Sequence, residues 1–337
     1  MSHTLERRVS TDLEKMLNWV NLPDDERKRR AVQACRDRDF EMLWGLTEAF
    51  LSLHGQQGIT GERGNTLRTY KSGIKALLEI WSAVNLLDPS KDAGQIWLRT
   101  LEAKLVKKPI KGVPKTAPDS ERYRLEPIQI TSLGPKLVAV RTLYKALKWA
   151  GATSSEPFAN VRLPKDRREA SEIRPPYPDE DIEKLLVVTL EPRDQVLILL
   201  CTHAGLRANE ACHVEREHIQ PNGKIKVVKA KGGKTRYVIP SRRLLLALEQ
   251  CKTYGVKTGR ILGWSPSRAR VRLEQLCALA GVEYRALHAM RHTSGARLYR
   301  EFGIEGVGAQ LGHSDSRSMR RYAKINQQKL LEAVGDW

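Results

Sequence analysis

Four residues near the C-terminus have the types and spacing to break a phosphodiester. His288 and Arg291 stand three apart, so a helix would put them on one face; His313 follows in a Leu-Gly-His, and Tyr322 lies nine residues beyond it. A cation-rich pocket with a phenol at its edge suits attack by Tyr322 on a phosphodiester whose negative charge is held by arginine and histidine. Arginine grips phosphate oxygens with two parallel hydrogen bonds and binds no metal. The His-x-x-Arg pair offers a single metal ligand with no Cys, Asp or Glu at metal spacing beside it, and His292 and His313 do not complete a set. Taken singly, His313 also reads as a structural histidine at a glycine turn and Tyr322 as a half-buried helix aromatic. Those readings would have to hold at every site at once.

Two further stretches carry cations toward the same chemistry. Arg207 follows an apolar run in THAGLRANEAC, with Glu210 one helical turn on; the alternative there is a structural ion pair at a helix start. Between residues 224 and 243 there are eight Lys or Arg and no Asp or Glu. Two β-branched runs, 224–230 and 235–240, flank Lys231-Gly232-Gly233-Lys234, a turn signal between strands. The tip of such a hairpin presents Lys231, or Lys234, to a phosphate, and Arg236 adds a DNA-contacting cation. Basic hairpins also bind nucleic acid without doing chemistry.

These residues need a scaffold. After residue 179 the pattern gives a helix with acids in its first turn, an apolar helix over 193–203, the hairpin, and helices from 242 onward. Upstream, residues 163–178 are charged, proline-rich and aperiodic, which reads as an exposed linker. Before it lies a helical unit, 39–162, with an accessory helical extension over 1–38. Helices are expected over 40–54, over 66–81 and around 137–148. The second carries Arg68, Lys71 and Lys75 on one face, and the third Arg141, Lys145 and Lys148. Two basic faces clear of acids suggest contact with a phosphate backbone or the major groove. Residues 104–115, with five lysines among prolines and glycines, read as a flexible loop that touches DNA or nothing. No internal repeat is apparent.

The bulk numbers point the same way. The 337 residues suffice for two domains, and a formal charge of +19 favours a polyanionic partner, nucleic acid before a membrane surface. No apolar run approaches a membrane span, and the N-terminus lacks a signal peptide's apolar core. Five cysteines without a CxxC pair argue against disulfides or a thiolate zinc site, leaving small core residues of a reducing cytoplasm.

The set Arg207 with Glu210, Lys231, His288 with Arg291, His313 and Tyr322 resembles, in order, type and approximate spacing, the active site of the tyrosine recombinase (phage integrase) family, including its Xer-like members. The matching phrases are AGLRANE, KGGKTRYVIP, LHAMRHTSGARL and LGHSDSRSMRRY. They occupy roughly the C-terminal half, while the N-terminal half matches only in design. Met319 stands where the family more often has a small hydroxyl residue, and the extra helical material before Phe40 is a second departure. The resemblance implies a mainly α fold with a small β-hairpin: a helical DNA-binding domain, then a mixed α/β catalytic domain over 179–337.

The implied activity is site-specific recombination of double-stranded DNA, one strand at a time, through a 3′-phosphotyrosyl link and a free 5′-hydroxyl. Because phosphotyrosine conserves the bond energy, no cofactor, neither ATP nor metal, is required. A phenol with a pKa of ~10 needs a proton acceptor before it attacks, and His288 is placed to accept that proton or hold the phosphate. Arg207, Arg291 and His313 would stabilise the transition state, Lys231 would protonate the leaving 5′-oxygen, and Glu210 would orient a cation. The resemblance further implies a homotetramer on synapsed DNA, with Leu330, Leu331, Val334 and Trp337 docked in cis or on a neighbour. A partner recombinase or accessory protein and a cytoplasmic, nucleoid-associated location belong to the same expectation. A transposon-encoded strand transferase, a type IB topoisomerase and a non-catalytic DNA-binding regulator are the alternatives.

Overall fold

A computed structural model describes residues 18–55, 64–110, 116–165, 175–228, 235–251 and 259–312. Lys231, Lys234, His313, Met319, Tyr322 and the C-terminal apolar stripe lie outside the described residues, as does most of the expected linker. The chain divides into two compact units, Met1–Arg167 and Arg168–Trp337.

The first unit is helical. Its members are α1 (Asp24–Arg36), α2 (Phe40–His54), α3 (Gly64–Ile80), α4 (Ala93–Ala103) and α6 (Ile130–Trp149). Asp39 starts α2 by accepting hydrogen bonds from the main-chain N–H groups of Glu41 and Met42, at 2.9 and 3.0 Å. Apolar residues at helical spacing face inward, with Leu43, Leu46, Ile74, Leu77, Leu137 and Val140 all buried, whereas Leu53, expected on the same stripe of α2, is exposed near the helix end. Phe158 stacks on Trp81 and meets the edge of Trp97, each at 5.3 Å. Residues 18–36, expected to form part of a separate extension, share this core through Trp19, Ala31, Ala34 and Cys35.

The lysine-rich segment differs from the expected loop. Strand β1 (Leu105–Pro109) pairs antiparallel with β2 (Tyr123–Pro127), with Lys107 opposite Leu125, and a single turn, α5 (Asp119–Arg122), precedes β2. Neither strand has a buried residue, so the sequence lacks the apolar alternation that marks a half-buried strand.

The second unit is built around α8 (Pro192–Thr202), in which every residue from Val196 to Thr202 is buried. Around it lie α7 (Asp179–Val187), α9 (Ala208–Cys212), α10 (Arg242–Gln250), α11 (Pro266–Ala280) and α12 (Ala286–Leu311), with α8 packed on α10 and α12. Strands β3 (Ile225–Val227) and β4 (Arg236–Val238) form the expected hairpin, shorter than the β-branched runs suggested. Asp194, fully buried at the start of α8, is held by Arg272 through bonds of 2.7 and 2.8 Å.

Tyr177 corrects the linker boundary. Its ring is 1% exposed, its hydroxyl accepts the Arg285 main-chain N–H at 2.7 Å, and its carbonyl accepts Thr293 Oγ1 at 2.8 Å. The partners lie over a hundred residues downstream, on the turn into α12 and on α12 itself, so local composition could not reveal them. All five cysteines are buried thiols. Among the described residues, no helix is long and apolar enough to cross a membrane.

Candidate active site

Glu210 is the point on which the motif fragments converge. It sits at the third position of α9, and its carboxylate accepts the main-chain N–H of Arg207 at Oε2 and Arg207 Nη1 at Oε1, both at 2.9 Å. From β4, Arg236 adds a two-pronged grip, Nη1 to Oε1 at 3.0 Å and Nη2 to Oε2 at 2.7 Å. Arg291, from α12, brings its Nη1 to 3.7 Å from Oε2. Burial alone would raise the Glu210 carboxyl. Hydrogen bonds from Arg236 and the Arg207 main chain, with the charges of Arg236 and Arg291, outweigh that and hold it at about 2. One carboxylate among three guanidinium groups leaves the cluster positive, as a phosphate site requires.

The two motif arginines sit differently. Arg207, its side chain 31% exposed, uses Nη1 on Glu210. Arg291 is 1% exposed: Nη1 donates to the carbonyl of Gly205 and Nη2 to that of Leu311 at 2.8 Å. It thereby ties the AGLR turn to the start of the LGH turn. Both turns demand glycine. Gly205 has φ +66°, and a Cβ there would lie 2.1 Å from Leu311 Cδ2; Gly312, also at φ +66°, would place a Cβ 2.7 Å from Arg236 Cδ. His288 is half-buried on α12, its ring edge-on to that of buried His292, with centroids 4.6 Å apart.

Arg236, expected among the DNA-contacting cations, has 13% side-chain exposure and Glu210 as its partner. The available signal was period two. Arg236 shares a strand face with Val238, which is fully buried, and stands opposite buried Val227. His203, four residues before Arg207, was also missed: its Nδ1 lies 2.7 Å from Ser241 Oγ. Burial, reinforced by the charges of Arg297 and Arg243 against Glu183 and Asp179, pushes its pKa down to about 4.

In the first unit, Arg68, Lys71 and Lys75 line an open cavity of about 470 Å³ together with Lys104, from the lysine-rich segment, and Lys136, which the sequence did not single out. Lys71 and Lys75 lie over the rings of Trp44 and Phe40, at 4.9 and 4.7 Å. Lys136 donates to Ser72 Oγ at 2.7 Å, and burial with the charge of Lys104 lowers its pKa against the pull of Glu79. The other basic face is interrupted. Arg141 donates to the carbonyls of Phe158, Ala159 and Val161, and Lys148 pairs with Glu156 at 2.6 Å, because residues 156–161 fold back on α6. Lys145 remains exposed.

Among the described residues one group has metal-ligand spacing: Glu215, Glu217 and His218. His218 Nδ1 accepts the Glu215 N–H at 3.0 Å, so the neutral ring carries its proton on Nε2 and offers no lone pair there.

The phage integrase family model matches residues 178–329. Tyrosine recombinase XerC of Xylella fastidiosa (strain M23) is 30% identical over 212 residues, covering 59% of this chain and 71% of that protein. XerC of Xanthomonas campestris pv. campestris (strain B100) is 29% identical over 213 residues, 59% of this chain, and the match spans 65% of the Xanthomonas protein's length. The fold is similar to that of the XerH site-specific recombinase bound to palindromic difH substrate in a post-cleavage complex, with TM-score 0.63 and 17% identity over 97% of this chain and 94% of that one. It is similar also to a lambda integrase(75-356) dimer bound to a COC′ core site, with TM-score 0.61 and 15% identity over 82% and 93%. The chain belongs to the phage integrase family of tyrosine recombinases.

Proposed function

We propose that this protein is a site-specific recombinase that cuts and rejoins duplex DNA through a phosphotyrosyl intermediate formed by Tyr322. The observation that carries the reading is the convergence of Arg207, Arg236 and Arg291, from three separate stretches of chain, on buried Glu210. A phosphoryl-transfer site needs preorganised positive charge, and losing one such donor typically costs ~3 kcal/mol of transition-state stabilisation.

In this reading Arg207 is the accessible guanidinium that meets a non-bridging oxygen. Arg291 adds its charge from beneath and holds the Gly205 and Leu311 turns together. His288 accepts the Tyr322 proton or holds the phosphate, His313 donates to it, and Lys231 protonates the leaving 5′-oxygen; Lys234 is the other hairpin-tip candidate for that proton. The cations Arg68, Lys71 and Lys75, joined by Lys104 and Lys136, bind the DNA backbone, with Lys145 exposed on the second basic face. Assembly is as a homotetramer on two synapsed sites, with a partner recombinase or accessory protein setting direction.

Covalent capture tests this. Mapping protein–DNA junctions on genomic DNA would give the site, and a nicked duplex of that sequence should then trap a metal-independent adduct. Tyr322→Phe should abolish the adduct; its persistence would sink the assignment. Relaxed circles without sequence preference would instead mark a topoisomerase.

A further inference from the structure

Arg236 is assigned no contact with the phosphate above, yet it joins parts of the site that lie far apart in sequence. Its guanidinium holds both oxygens of Glu210, its stem passes over Gly312, and its strand is fixed to the end of α12, where Ile239 exchanges hydrogen bonds of 3.1 and 2.7 Å with the Gln310 amide. A two-pronged grip defines the plane of a carboxylate, which a single bond does not. Arg207 makes only one side-chain bond to that carboxylate, through Nη1 to Oε1. With Arg236 absent, Oε1 would keep only Arg207 Nη1, and Oε2 only the Arg207 main-chain N–H with Arg291 Nη1 at 3.7 Å, so the Arg207 guanidinium, three residues away on the same turn, would close further onto the acid.

We propose that Arg236 is a positioning residue for strand cleavage: by holding Glu210 through both oxygens, it keeps Arg207 on a single bond and so turned outward to the scissile phosphate. This rests on the recombinase reading. It replaces a direct contact between Arg236 and DNA, and the two roles have opposite signatures. A phosphate contact contributes to affinity and to salt dependence, about 0.9 in the slope of log K against log salt. A residue acting through Arg207 leaves both alone and slows the chemical step, where a misplacement of about 1 Å costs on the order of a hundredfold.

The test uses the full chain and a nicked duplex of the mapped junction sequence, comparing wild type, Arg236→Gln, Glu210→Gln and the double variant. Arg236→Gln should bind within about twofold of wild type with an unchanged salt slope, yet form adduct about a hundredfold more slowly at saturating DNA. The double variant should be little slower than the worse single one, since the acid that captures Arg207 is gone. A methylphosphonate at the scissile position lacks the charged oxygen Arg207 would meet, and should shrink the gap between wild type and Arg236→Gln. A purely structural defect would leave that gap unchanged. If Arg236→Gln does not fold, Arg236→Lys, which keeps the charge but not the two-pronged grip, carries the same comparisons.

A normal rate at saturation with a salt slope lower by about 0.9 would overturn the proposal in favour of a DNA contact. So would additive losses that are equal on charged and neutral phosphates. An adduct from wild type with an unimpaired Arg236→Gln removes this inference alone, whereas no adduct from wild type removes the recombinase reading and this inference with it.

Discussion

Among the described residues the protein holds two antiparallel hairpins rich in cations, and they are secured in opposite ways. In β1–β2 the lysines and arginines find acids within or beside the hairpin itself: Lys107 with Asp119 at 3.1 Å, Arg122 with Asp119 at 3.0 Å, and Lys108 and Arg124 with Glu126. These pairs lie at or near the surface, and Leu105 and Leu125 are exposed between them. In β3–β4, Ile225, Val227 and Val238 enter the core and Arg236 reaches Glu210, 26 residues upstream and 5% exposed. Exposed pairs are screened by water and contribute little, while a buried carboxylate shared by cations is costly to disturb. The first hairpin can therefore change its charges without consequence for its unit, and the second cannot.

The largest expected difference follows from removing the central acid. Glu210→Ala leaves the buried guanidinium groups of Arg236 and Arg291 without their carboxylate, and breaking a buried pair this way costs about 3–5 kcal/mol. Urea unfolding followed by a probe in the second unit should show a matching fall in midpoint. A loss below about 1 kcal/mol would mean the cluster is solvated, and the contrast between the hairpins would disappear.

The contrast also accounts for what was legible in the sequence. The β3–β4 hairpin announced itself because β-branched residues flank a Gly-Gly turn, whereas β1–β2 has no buried face and its lysines and prolines read as loop. Helices such as Phe40–His54 were legible because their stripes are local. The site was legible as a set of residue types, since Arg207, Glu210, His288 and Arg291 carry their chemistry in their names. How they connect was not. The 224–243 stretch has no acid of its own, so Arg236 looked free for DNA, and only the fold brings Glu210 to it. Arg291 read as a donor to the scissile phosphate, and only the fold brings the carbonyls of Gly205 and Leu311 to it.

Acid should separate the second unit's buried groups in two steps. His203 is depressed to about 4 from an ordinary value near 6.5, so the unfolded chain takes up its proton first, and stability falls as pH drops from about 6.5 toward 4. Glu210, held at about 2 against an ordinary 4.5, contributes stability that is complete above about pH 4.5 and lost as pH falls toward 2, about 3 kcal/mol in all. Melting temperature against pH should therefore decline in both windows. His203→Gln, which can still bond Ser241, should flatten the upper one only. An unchanged upper window in that variant would place its cause elsewhere.

The smallest effect belongs to the first hairpin. Glu126 lies in β2 beside Lys108 and Arg124, and the hydrogen bond from Lys108 lowers its carboxyl pKa with help from both charges. That resembles Glu210 in kind, one acid between cations, but not in setting: the partners keep 30% and 66% of their side-chain exposure, so water replaces the acid when it goes. Glu126→Gln should leave the denaturant midpoint of the first unit unmoved, and raising salt should not distinguish it from wild type. A shift comparable to that of Glu210→Ala would mean that the short-range pairs of β1–β2 act as one network. Depth of burial would then no longer separate the two hairpins, and the number of cations gathered on one acid would be the governing quantity.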